Sequence, residues 1–131
     1  MTRVLIVDDS DLARRMLRSV LESGRDVEVC GEAEDGKSAI GKTESLDPDV
    51  VVLDVRMPIL NGLAATRRIR QFSPRTAVLL VSVDCNRQIV EAAREAGAQG
   101  YVNKEDAAKT LVAAVRSVLD GREFFPPVSG Q

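Results

Sequence analysis

Five polar residues have types and positions that suit one piece of chemistry: Asp8, Asp9, Asp54, Ser82 and Lys104. Apart from Asp9, which doubles the first aspartate, each stands at the end of a short apolar stretch. Asp8 follows Val4-Leu5-Ile6-Val7, Asp54 follows Val50-Val51-Val52-Leu53, Ser82 follows Ala77-Val78-Leu79-Leu80-Val81, and Lys104 closes Gly100-Tyr101-Val102-Asn103. Short runs of this kind, β-branched and bounded by polar or turn residues, fit strands buried on both faces. In an open parallel α/β sheet, ligands bind at the C-terminal ends of the strands. Three carboxylates gathered there place about −3 at one spot, and like charges at close range do not all stay ionised without a cation. Mg²⁺ meets that need, because it takes oxygen ligands and is usually held by one or two carboxylates together with a phosphate oxygen. With Lys104 added, the set suits phosphoryl transfer to Asp54: the carboxylate accepts the group covalently, cation and lysine stabilise its oxygens, and Ser82 donates a hydrogen bond to one of them. Taken singly, Asp54 would be a loop aspartate closing a strand, Ser82 a helix cap and Lys104 a solvated lysine. Their occurrence as a coherent set carries the argument.

The elements that must position these residues are legible along the chain. After the first strand, Asp9 or Ser10 caps a helix carrying Leu12, Met16, Leu17, Val20 and Leu21, which Gly24 stops. Val27 to Ala33 alternates as a strand, and Asp35-Gly36 turns the chain into a helix ending before Pro48. The strand ending at Asp54 leads into the turn residues Met57-Pro58 and Asn61-Gly62, then a helix from Leu63 to Phe72. The strand ending at Ser82 is followed by a helix from about Arg87 to Ala96, stopped by Gly97. A short strand over 99–103 precedes a last helix from about Ala107 to Leu119. Five strands alternating with five helices predict an α/β domain: a doubly wound parallel sheet with helices on both faces. The tail 122–131, with Phe124-Phe125-Pro126-Pro127, reads as a docked terminus or the start of a linker.

Composition narrows the functional classes. The 131 residues are 44% hydrophobic and 29% charged, enough for one core. A net charge of −2, with basic residues scattered, argues against nucleic-acid binding through this domain. No run approaches membrane-spanning length and Met1-Thr2-Arg3 leads straight into a strand, so no membrane association and a cytoplasmic location are expected. Cys30 and Cys85 lack metal-ligand spacing, and with no histidine in the chain a Cys/His zinc site is excluded.

The acidic pair Asp8-Asp9, Asp54 followed by Met57-Pro58 and Asn61-Gly62, Ser82, and the stretch Gly97 to Lys104 occur in an order that resembles the receiver domain of bacterial two-component response regulators. The resemblance covers about residues 3 to 121, with 1–121 taken as the receiver and 122–131 as the tail. It implies strand order 2-1-3-4-5, Asp54 as phosphoacceptor, and Mg²⁺ positioned by Asp8, Asp9 and Asp54 with the backbone carbonyl of Arg56. It also implies a switch formed by Ser82, Lys104 and Tyr101. The expected partner is a sensor histidine kinase or phosphotransfer protein, docking on the first helix at Leu12, Arg15 and Met16, and a homodimer on phosphorylation is possible. Such a domain catalyses its own phosphorylation and dephosphorylation without being a conventional enzyme. Tyr101 is expected to turn inward from a solvent-facing rotamer when Asp54 is phosphorylated.

Two departures accompany the resemblance. Glu105 follows Lys104 where many receivers have a proline, often with a cis peptide. The closing Gly-Arg-Glu-Phe-Phe-Pro-Pro-Val is similar to the end of NarL/LuxR-type receivers, which continue into a DNA-binding domain absent from these residues; the output is then transcription, or protein contact if the receiver stands alone. Two other functions on such a fold fit less well. An aspartyl-phosphate hydrolase usually needs a second Asp two residues after the nucleophile, where this chain has Arg56. A flavin or nucleotide module would want a Gly-rich or Ser/Thr-rich loop where this chain has Asp8-Asp9, which repels phosphate.

Overall fold

A computed structural model of the chain describes residues 1–127. Strands and helices alternate: β1 (Thr2–Val7), α1 (Asp11–Glu22), β2 (Val27–Ala33), α2 (Gly36–Leu46), β3 (Val50–Asp54), α3 (Gly62–Phe72), β4 (Ala77–Ser82), α4 (Arg87–Ala96), β5 (Gly100–Asn103) and α5 (Ala107–Leu119), with a short 3-10 turn at Lys104–Asp106 before α5. The five strands form one parallel sheet in the order β2-β1-β3-β4-β5. That is the doubly wound α/β arrangement the alternation predicts.

Every residue of β3 and β4 is buried, which is why these strands read as continuous apolar runs instead of alternating ones. Alternate side chains enter two cores. Val4, Ile6, Val50, Val52, Leu79 and Val81 pack under α1 and α5 with Leu17, Leu21, Leu111 and Val115. Leu5, Val7, Val51, Leu53, Val78 and Leu80 pack under α2, α3 and α4 with Ala39, Ile69, Val90 and Ala93. Side-chain caps start four of the helices: Ser10 accepts from Ala13 N, Asp35 from Ser38 N, Asn61 from Ala64 N and Asn86 from Ile89 N. Each cap closes the loop that leaves the C-terminal end of a strand, so the helices begin at the edge where the candidate residues lie.

One local expectation changes: the buried stripe of α1 is Arg14, Leu17 and Leu21, while Leu12 and Met16 face outward. The helix stops before Gly24 as expected, with Ser23 as its cap and Gly24 N bonded to Leu21 O at 3.0 Å. The tail docks. Phe124 N donates to Gln99 O (3.0 Å) and Tyr101 N to Phe124 O (2.7 Å), so the segment pairs in parallel with the free edge of β5. Phe124 packs on one core and Phe125 on the other, Arg94 stacks 4.0 Å over the Phe125 ring, and Arg94 pairs with Glu123 at 2.5 Å. Gly100 makes room for this, since a Cβ there would stand 2.6 Å from Leu79 Cδ1 and 3.0 Å from Phe124 O. Residues 128–131 of the tail lie outside the described residues. Among the described residues no helix is long and apolar enough to cross a membrane.

Candidate functional site

The sheet register assembles the site. Val7 pairs with Leu53, so the next residues, Asp8 and Asp54, stand level at the ends of adjacent strands. Asp54 pairs with Val81, which puts Ser82 one step further out on β4, and Ser82 pairs with Asn103, which puts Lys104 one step beyond β5. Asp8, Asp9 and Asp54 each offer a carboxylate oxygen, all within 4.8 Å of one another. Asp8 and Asp54 are buried and Asp9 is exposed. Lys104 Nζ lies 2.8 Å from Asp8 Oδ2 and 3.5 Å from Asp54 Oδ2. The structure therefore brings together four of the residues singled out in the sequence and sets Ser82 beside them.

The cluster is charge-deficient. Burial, and then the charge of Asp8, raise the Asp54 carboxyl above the ordinary carboxylate value, while Lys104 and the Arg56 amide pull it down. Burial also works against the Lys104 ammonium, but its contact with Asp8 and the charge of Asp54 outweigh that, and the net direction is upward. Asp8 Oδ1 accepts from Ser10 N at 2.9 Å. Its other oxygen, Oδ2, is buried; Lys104 Nζ stands beside it as an ion pair, and among the described residues no aligned hydrogen-bond donor reaches it. Three carboxylates facing one ammonium, all hard oxygen donors, with one buried oxygen left without an aligned donor, fit a hard divalent cation such as Mg²⁺.

The floor of the site depends on Gly62. The chain after β3 folds back so that Gly62 N donates to Val55 O at 2.8 Å, and a Cβ at Gly62 would meet Asp54 O at 2.3 Å and Val55 Cα at 2.8 Å. Only glycine lets the start of α3 approach the end of β3 so closely.

Ser82 is buried, and its hydroxyl accepts from Asp84 N at 3.0 Å; α4 is capped by Asn86, so Ser82 is no helix cap. The solvent-facing rotamer expected for Tyr101 is not what the structure holds. The ring is fully buried in the core beneath α4, and its hydroxyl donates to the Asp84 carbonyl. An amphipathic ring can sit inside when its polar tip finds a partner, and the Asp84 carbonyl supplies one. Burial raises the Tyr101 phenol to about 12, with the Ser82 hydroxyl pulling the other way. The Arg56 side chain reaches across to Asp84 (2.5 Å) and is largely exposed. No cis peptide occurs among the described residues, so Lys104–Glu105 is trans, and Glu105 N donates to Asn103 Oδ1 at 3.0 Å.

Sequence reasoning missed two residues here. Asp84, which holds Ser82, Tyr101 and Arg56 at once, carried no signal beyond lying two residues past Ser82. Arg14 is buried at the foot of Asp8; its signal was the spacing 14, 17, 21 along α1, obscured because the apolar residues alone suggested a different stripe.

Comparison with known proteins gives consistent matches. The model of the response regulator receiver domain family matches residues 4–116. The chain is 35% identical to the transcriptional regulatory protein LnrK of Bacillus subtilis over 97% of its length and 36% identical to the response regulator GacA of Pseudomonas viridiflava over all of it. It spans 58% of the former and 61% of the latter. It superposes on the receiver domain of the putative response regulator NarL from Mycobacterium tuberculosis with TM-score 0.88 at 35% identity, covering 92% of this chain and 98% of that one. A LuxR-family two-component response regulator from Aurantimonas sp. gives TM-score 0.92 at 34% identity, covering 97% and 91%.

Proposed function

Because the chain belongs to the response regulator receiver domain family, we propose that Asp54 accepts a phosphoryl group from a phosphohistidine of a sensor histidine kinase or phosphotransfer protein, and that the modified site switches an output. The observation that carries this reading is the cluster itself: Asp8, Asp9 and Asp54 within 4.8 Å, facing Lys104, with Asp8 Oδ2 lacking an aligned donor.

Asp8, Asp9, Asp54 and the backbone carbonyl of Arg56 would hold Mg²⁺, which neutralises the cluster and withdraws charge from phosphoryl oxygens when bound. An Asp54 oxygen attacks phosphorus, a P–O bond forms, and the bond to the donor nitrogen breaks with its electron pair staying on the imidazole. Lys104 meets the negative charge of the transferred group, and Ser82 turns its hydroxyl from the Asp84 amide to a phosphoryl oxygen. Asp54 passes from about −1 to about −2. When Ser82 lets go of Asp84, the partner of the Tyr101 hydroxyl shifts as well. The signal thus travels through two hydrogen bonds on Asp84 that already exist, without an inward swing of the ring.

Exposed Leu12 and Met16, with Arg15 between them, support docking of the kinase on α1. The relatives are longer and LnrK is named a transcriptional regulator, which supports an output in transcription through a DNA-binding domain beyond these residues. The test is mass spectrometry after incubation with acetyl phosphate and Mg²⁺. The parent should gain one phosphoryl group and Asp54→Asn none; equal labelling of both would overturn the assignment. Met16→Ala should slow transfer from a phosphohistidine donor and spare acetyl phosphate.

A further inference from the structure

Arg14 is the most deeply buried cation among the described residues, only 8% exposed, and the phosphoryl-transfer reading gives it no task. A buried guanidinium is costly unless its donors are used, and each edge of this one is. Nη1 donates to the main-chain carbonyl of Asp8 at 2.6 Å, Nε donates to Glu32 Oε1 at 3.0 Å, and Nη2 pairs with Asp11. Glu32, on β2, is shared with Arg18, whose Nη2 stands 2.7 Å away. With two carboxylates in contact, the charge of Arg14 is spent locally and projects little field toward Asp54.

What remains distinctive is the bond to Asp8. At this point β1 leaves the sheet and turns into α1. Asp8 N still bonds to Ala33 O at 3.1 Å, while Asp8 O is met by the Arg14 side chain instead of a strand. Arg14 thereby satisfies a buried carbonyl that would otherwise be unpaired. Asp8 is held at three points: its amide by Ala33, its carbonyl by Arg14, and its carboxylate Oδ1 by Ser10 N. The remaining oxygen, Oδ2, is the buried one that faces Lys104 and Asp54.

We infer that Arg14 is a positioning residue of the metal pocket: by fixing the Asp8 carbonyl at the β1–α1 turn it sets where the Asp8 carboxylate stands for Mg²⁺. The inference rests on the proposed Mg²⁺ role of Asp8. Partners that orient metal ligands typically matter by about 10–100-fold in affinity, and Arg14, acting on the ligand's main chain, belongs at the lower end of that range.

The experiment is a Mg²⁺ titration by calorimetry of parent, Arg14→Ala, Arg14→Lys and Glu32→Gln, each with a parallel urea unfolding curve. Glu32→Gln disturbs the same buried cluster but leaves the Arg14–Asp8 bond in place, so it controls for general loosening. Arg14→Ala should weaken Mg²⁺ binding about 10-fold, Arg14→Lys, which keeps one donor for the carbonyl, should recover part of it, and Glu32→Gln should bind Mg²⁺ as the parent does despite losing stability. Unchanged affinity in Arg14→Ala overturns the inference. So does an equal loss in Glu32→Gln. Should Arg14→Ala fail to fold, Arg14→Lys against Glu32→Gln makes the same comparison. A parent that binds no Mg²⁺ removes the functional reading and this inference together, a result distinct from either of the others.

Discussion

Two glycines that both lie in helices should respond to alanine in opposite directions, and the contrast tests how tightly the phosphoacceptor is seated. Gly41 is an exposed residue of α2, and among the described residues nothing lies within 4 Å of a would-be Cβ. Alanine there should add up to ~1 kcal/mol of stability from helix propensity alone. Gly62 is the first residue of α3, where propensity matters less, and its Cβ would land 2.3 Å from Asp54 O and 2.8 Å from Val55 Cα. Both are backbone atoms, so no side chain can swing aside. Reaching the 3.4 Å of ordinary contact requires α3 and the end of β3 to part by about 1 Å. Overpacking of this kind costs ~1–3 kcal/mol. The displaced atoms are main-chain atoms of Asp54 and its neighbour Val55, so the Asp54 side chain moves with them, and a shift of about 1 Å at a reacting group can cost ~10²-fold in rate. Urea unfolding in chelator and initial rates of acetyl phosphate labelling measure the two effects. Gly62→Ala should be less stable than the parent and label far more slowly, while Gly41→Ala should be more stable and label normally. A Gly62→Ala protein as stable as Gly41→Ala refutes the packing argument, and one that is destabilised yet labels at the parent rate shows that α3 takes up the strain without moving Asp54.

Other outcomes follow from the site's charges. Tyr101, the chain's one tyrosine, is raised to about 12, so its tyrosinate absorbance should stay absent well above the ordinary tyrosine value of ~10. The unfolded chain ionises first, so this contribution to stability is complete below ~10 and is lost as pH rises toward 12; a tyrosinate band at ~10 in folded protein would contradict the burial. In chelator, Asp54→Asn should be more stable than the parent at neutral pH, because burial and Asp8 disfavour the ionised Asp54 carboxylate. That gain should shrink as pH falls through the raised value toward the ordinary carboxylate range, whereas a gain that grows on acidification would reverse the sign of the argument. Arg56→Ala removes a largely exposed ion pair with Asp84 and should cost no more than ~1 kcal/mol in low salt and nothing measurable in high salt, both read from urea curves.

Much of the molecule was legible before its structure. The apolar runs ending at Asp8, Asp54 and Ser82 marked strands because two-sided burial demands unbroken hydrophobicity, and the bounds of α4 fell at Arg87 and Ala96 because Asn86 and Gly97 cap them. The juxtaposition of Asp8, Asp9, Asp54 and Lys104 followed from a parallel sheet, which the alternation predicts, in a strand order that only the family resemblance supplied. Arg14 was not legible, since its partner Glu32 lies outside α1, on β2, and a periodicity of apolar residues says nothing about a buried cation. Tyr101 was misplaced for a related reason: its polar tip suggested the surface, and the Asp84 carbonyl that receives it belongs to a loop with no pattern of its own. The tail's hydrophobic pair was visible, but whether it docked depended on the room left by Gly100 and on Arg94, features that acquire meaning only in three dimensions.

The docked tail also finishes the border of the sheet. Without residues 122–127, β5 would present the Tyr101 amide and the Gln99 carbonyl as an open seam, flanked by the apolar surface that Phe124 and Phe125 now cover. An unpaired parallel edge of this kind is a template on which strands of other molecules add. A protein trimmed after α5, at Gly121, would keep every residue of the phosphoryl site and yet be prone to stick to itself, so that its self-association would report a raw edge and nothing about signalling.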